Sequence, residues 1–237
     1  MSIRGMRRPA AVVFDFDGLV VDTEWVEYVT IADMFRRSGA ELSFELWQGF
    51  IGTTDHPHWT ELLADALGRP VDRDALVAAR TAEKDVLLAA EPILPGVVEL
   101  LDELDAHAVP IGMASSSSSE WVRGNLERLG LLDRFEVIVT RDDVTAAKPS
   151  PELYLRACVG LAVEPTGAVA LEDSLHGVTS ARAAGMAVVA VPGRLTVGLD
   201  FSAASRSATA WPSGRRTAPS GWSPSSASSP PVRCWCH

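Results

Sequence analysis

Asp15 and Asp17 stand one residue apart in the stretch AVVFDFDGLVVDT, directly after the apolar run Val12, Val13 and Phe14. An apolar strand that enters the core and ends on paired carboxylates points to chemistry at that end rather than to packing. Gly18 follows and suits a local bend. Further polar groups end other apolar runs: Ser115 and Ser116 after GMA, Thr140 after VIV, and Glu172 with Asp173 after VAL. Lys148 lies in the loop beyond Thr140 and is one of only two lysines, the other being Lys84. Four acids brought to one place would repel one another. A bound divalent cation resolves this, and hard oxygen ligands in a small site favour Mg²⁺.

An open parallel sheet is the scaffold that would gather these groups, because its ligand site lies beyond the carboxyl ends of its strands. Five apolar runs qualify as strands: AAVVFDF, Val109 to Ser115, Phe135 to Thr140, Gly167 to Asp173 and Met186 to Pro192. They are continuous rather than alternating, as expected of strands covered on both faces. The segments between them have helical periodicity. In PGVVELLDELDAHA, Val97, Leu100, Leu101 and Leu104 share one face. This alternation predicts an α/β fold, a doubly wound, Rossmann-like parallel sheet.

The interval between the first two strands holds about 85 residues without a strand, far more than a crossover needs. Residues 22–92 are therefore expected to form an inserted helical domain, with 1–21 and 93–204 as the core. The remaining 205–237 holds nine Ser, five Pro, three Trp and two Cys, with no Leu, Ile, Phe or Met. Such a composition builds no core element and predicts disorder. Its Trp and Cys content is foreign to a natural linker and fits a shifted reading frame in a GC-rich gene. On that view a terminal strand and helix are lost, and stability suffers more than chemistry.

The net charge of −10 argues against nucleic-acid binding. The apolar runs are too short for a bilayer. No secretory signal is visible in MSIRGMRRPA, so the expected location is the cytoplasm and the expected state a monomer with no membrane partner. Three cysteines, two of them at the far end, imply no disulfide framework.

Four motifs together resemble those of the haloacid dehalogenase-like (HAD) phosphohydrolases. DFDGLVVDT is similar to the family's DxDGxxxDT, GMASSS to its serine-ended second motif, AAKPSPELYL to its lysine motif, and ALEDSLHGVTSARAAGM to its acidic pair before a helix. The resemblance runs from about Val12 to Pro192, and the helical insert resembles the small cap of phosphoglucomutase-like and phosphoglycolate-phosphatase-like members. It implies a Mg²⁺-dependent phosphohydrolase of a small phosphorylated metabolite. Asp15 would be the nucleophile, Asp17 the general acid and base, Ser115 and the Ser116 N–H the phosphoryl ligands, and Lys148 the neutralising cation. The metal would take Asp15, the Asp17 carbonyl, Asp173, and Glu172 directly or through water.

Ser117 to Ser119 are read as helix cap and solvent, and Asp22 with Thr23 as structural. In the insert, the loop GFIGTTDHPHW offers Gly52, Thr53, Thr54, Asp55 and His56 as substrate contacts or as an ordinary connection. His56, His58 and Asp55 lack further ligands for zinc. Sugar-phosphate mutases of the family are the alternative. They resemble this pattern but carry a His where this chain has Glu27, and a cap Arg where this loop has an acid; both departures favour hydrolysis. A folded but inactive module is the other alternative, should the aberrant tail abolish function. Dehalogenation is disfavoured, because those relatives lack an acid at the Asp17 position.

Overall fold

The structure, a computed structural model, describes residues 8–53, 55–204 and 206–207. Its centre is a six-stranded parallel sheet in the order β3-β2-β1-β4-β5-β6. The strands are β1 (Ala11–Phe14), β2 (Ile111–Ala114), β3 (Val137–Val139), β4 (Ala168–Glu172), β5 (Ala187–Ala190) and β6 (Arg206–Ser207). Five of these coincide with the runs read from the sequence. The sixth, a two-residue edge pairing of Arg206 and Ser207 with Val189 and Ala190, falls within the segment expected to be disordered. The rest of that expectation lies outside the described residues, as does Thr54.

Side chains of β1 alternate between two cores. Val12 and Phe14 join one cluster with Leu101, Met113 and Val122, whereas Ala11 and Val13 join another with Tyr154, Ala157 and Val188. This two-sided burial is why the strands are apolar throughout. Helices α5 (Val97–Ala106) and α6 (Ser119–Arg128) supply the first cluster, and α7 (Glu152–Gly160) and α8 (Leu175–Ala183) the second.

Between β1 and β2 the chain forms α1 (Thr23–Arg37), α2 (Phe44–Gln48), α3 (Trp59–Leu67) and α4 (Arg73–Ala90). These four helices bury a third cluster, including Ile31, Phe35, Trp47, Trp59 and Leu63. Val21 and Ile93, at the two ends of the insert, pair in an antiparallel bridge that draws its entry and exit together. The short helix α2 escapes the sequence pattern because one and a half turns carry too little periodicity to be seen.

Candidate active site

The ladder aligns Phe14 with Met113 on one side and Leu171 on the other, so Asp15, Ser115 and Glu172 emerge at one edge of the sheet. Backbone bonds continue past the strands: the Asp15 N–H donates to Leu171 and the Ser115 N–H to Val139, each at 3.0 Å. The two groups are therefore held by main chain rather than by a free loop.

Lys148 reaches the same edge from a loop tied at both ends. The N–H groups of Thr145 and Ala146 donate to Glu152 at 2.9 and 3.2 Å, and the Ser180 hydroxyl donates to the Ser150 carbonyl. Its Nζ lies 2.6 Å from Oδ1 of Asp15 and 2.6 Å from Oε1 of Glu172. Glu172 also accepts from the Tyr154 hydroxyl and from Ser174 Oγ. It backs against the first turn of α8, where a Cβ on Gly177 would fall about 2 Å from its carboxylate. Glu172 is thus paired with Lys148, a partnership the sequence motifs leave unseen.

Asp15, Glu172 and Asp173 are all buried, and one carboxylate oxygen from each lies within 4.8 Å of the others. One ammonium cannot balance them. Burial pushes the Asp15 carboxyl up to about 7, against the lowering effect of Lys148. Burial and the neighbouring carboxylates of Asp15 and Glu172 push Asp173 well above the ordinary range. Oδ1 of Asp173 is buried with no hydrogen-bond partner among the described residues. An unpaired buried oxygen beside surplus acids fits a hard divalent cation. The turn after β1 leaves room for it: Gly18 has φ +79°, and a Cβ there would lie 2.1 Å from Oδ2 of Asp173.

Asp17 is gripped by four donors. Thr23 Oγ1 and the Trp121 indole N–H donate to Oδ1 at 2.7 and 2.9 Å, and Ser117 Oγ donates to Oδ2 at 2.6 Å. Ser115 Oγ stands farther off at 3.4 Å. Thr23 is structural in the sense expected, but its bond falls on Asp17. Ser117 and Trp121 were missed as site residues; only Ser118 behaves as a helix cap, its hydroxyl accepting from the Trp121 N–H.

A small cavity of about 70 Å³ joins Asp15, Asp17, Lys148, Ser116, Gly52 and Thr53. Gly52 presses on the core, with φ +82° and no space for a Cβ beside Ser174; Ser116 Oγ donates to its carbonyl at 3.3 Å. Of the other loop residues, His56 lines a second, larger cavity, while Asp55 is exposed and lines neither.

Residues 12–191 match the haloacid dehalogenase-like hydrolase family. The chain belongs to that family. Among its relatives is the putative phosphatase YhcW of Bacillus subtilis, 40% identical over 191 residues that cover 81% of this chain and 87% of that one. Validoxylamine A 7'-phosphate phosphatase of Streptomyces hygroscopicus subsp. limoneus is 34% identical, over 73% of this chain and 81% of its own. A solved structure of a CbbY mutant from Rhodobacter sphaeroides, in complex with xylulose-(1,5)bisphosphate, superposes with a TM-score of 0.69 at 26% identity, over 86% of this chain and 95% of that one. The likeness thus runs along nearly the whole described length, and the chain is a phosphatase-type member of the family.

Proposed function

We propose that the protein hydrolyses the monophosphate ester of a small metabolite through a phosphoryl group carried on Asp15. The observation that carries this is the buried Lys148 held 2.6 Å from both Asp15 and Glu172 at the carboxyl edge of the sheet. In the first step a carboxylate oxygen of Asp15 attacks phosphorus, the ester P–O bond breaks, and Asp17 gives its proton to the departing alcohol oxygen. In the second, water attacks phosphorus of the acyl phosphate, Asp17 takes a proton from that water, and phosphate leaves with Asp15 restored. Lys148, the Ser115 hydroxyl and the Ser116 N–H offset the charge on the phosphoryl oxygens. Asp15 and Asp173 would hold Mg²⁺, together with the Asp17 carbonyl; the ion would keep Asp15 ionised and neutralise phosphoryl charge.

The helical insert, residues 22–92, serves as the cap over this edge, with Gly52 and Thr53 nearest the phosphoryl group. Glu27, where mutase-like relatives carry His, is bound by Arg80 and by Lys84. A cap arginine does face the larger cavity, from α4 rather than from the loop, but its charge is taken up by Glu27. Hydrolysis is favoured over intramolecular return of the phosphoryl group.

Phosphate release from a panel of phosphorylated metabolites, with Mg²⁺ and with chelator, tests this. Wild type is expected to release phosphate only with Mg²⁺, and Asp15→Asn not at all; unchanged turnover by Asp15→Asn would refute the assignment.

A further inference from the structure

The larger cavity, about 320 Å³, adjoins the small one and shares Glu24 and Thr53 with it. A group esterified to a phosphoryl group in the small cavity would extend into it. Its walls combine the aromatic faces of Trp47, Phe50 and Trp59 with the carboxyl groups of Glu24 and Glu27. Arg80 is the only Lys or Arg among the described residues that line it. That guanidinium is committed: it pairs with Glu27, its Nε donates to Thr30 Oγ1 at 3.0 Å, and it lies 5.8 Å from the Trp59 ring centroid. Lys84, one helical turn on, is 3.3 Å from the other oxygen of the same Glu27. His58 adds no fixed charge, since burial and nearby Arg73 lower its pKa. A second phosphate or a carboxylate would lose its hydration there and find no uncommitted cation to replace it. Hydroxyl and amino groups would meet acceptors, and the ring faces would meet aromatic walls.

We infer that the organic part of the substrate is a hydroxylated, sugar-like group that is uncharged or carries an amine, and that substrates with a second anionic group are refused. This rests on the phosphohydrolase reading. It separates the chain from the CbbY mutant that binds a bisphosphate at 26% identity.

The test is turnover of matched pairs at pH 8 with Mg²⁺: xylulose 5-phosphate against xylulose 1,5-bisphosphate, and glucose 6-phosphate or glucosamine 6-phosphate against 6-phosphogluconate. The first member of each pair is expected to show kcat/KM at least about ten-fold higher. Glu27→Gln, which releases Arg80, is expected to shrink the gap at least about three-fold. Calorimetric binding of the same pairs to Asp15→Asn reads the preference without turnover. Retained preference with no hydrolysis would count against the reaction, not the pocket. Equal or tighter binding of the anionic members, or binding of neither, overturns the inference.

Discussion

Lys148 donates to Asp15 across 2.6 Å with both side chains buried, so each charge depends on the other for its solvation. Removing the ammonium strands Asp15 and Glu172 in a dry environment. Lys148→Met is expected to cost about 3–5 kcal/mol of stability, as breaking a buried pair does, and to abolish phosphate release. Urea unfolding in chelator measures the first. A loss below about 1 kcal/mol would mean the pair is not buried in solution.

The acidic surplus makes stability depend on pH in a defined direction. Asp15, raised to about 7, and Asp173, also raised, keep protons in the folded protein that the unfolded chain releases near pH 4. The Asp15 contribution is full below about pH 4 and is lost as pH rises through about 7, and that of Asp173 is lost in the same direction. Mg²⁺ would bind the deprotonated groups, so the rise in Tm on adding it should be larger at pH 8 than at pH 5.5. Equal gains at both values would place the ion elsewhere.

Trp121 and Thr23 hold the same oxygen of Asp17. A hydrogen bond to a charged group is worth about 1.5–3 kcal/mol. Trp121→Phe keeps the ring and deletes the donor. It is expected to lower kcat about ten-fold with KM little changed, because the acid is mispositioned while the binding cavity stays intact. A loss confined to KM would contradict this.

Much of this was legible before any coordinates. Asp15, Ser115, Lys148 and Asp173 each end or follow an apolar run, and local order along the chain suffices to mark a strand end. The length of the interval between β1 and β2 by itself marks more than a crossover, and helices α1 to α4 lie there. What stayed hidden are contacts between residues distant in sequence. Trp121 meets Asp17 across 104 positions, and Arg80 meets Glu27 across 53. Trp121 reads as an ordinary apolar position of α6, and nothing in its neighbours shows that its indole N–H faces the first strand. Glu172 reads as one of a metal-binding pair, yet its closest partners, Lys148 and Tyr154, come from α7 and the loop before it. Glu27 was read against what stands at its place in relatives, whereas its role follows from a helix about fifty residues away.

The central claim is that Asp15 carries the phosphoryl group. Acid quenching during turnover of a radiolabelled phosphate ester, followed by peptide mapping, tests it most directly. Label is expected on the peptide containing Asp15 in the wild type and on no peptide of Asp15→Asn. Steady release of labelled phosphate with none ever bound to protein, persisting in Asp15→Asn, would contradict the account.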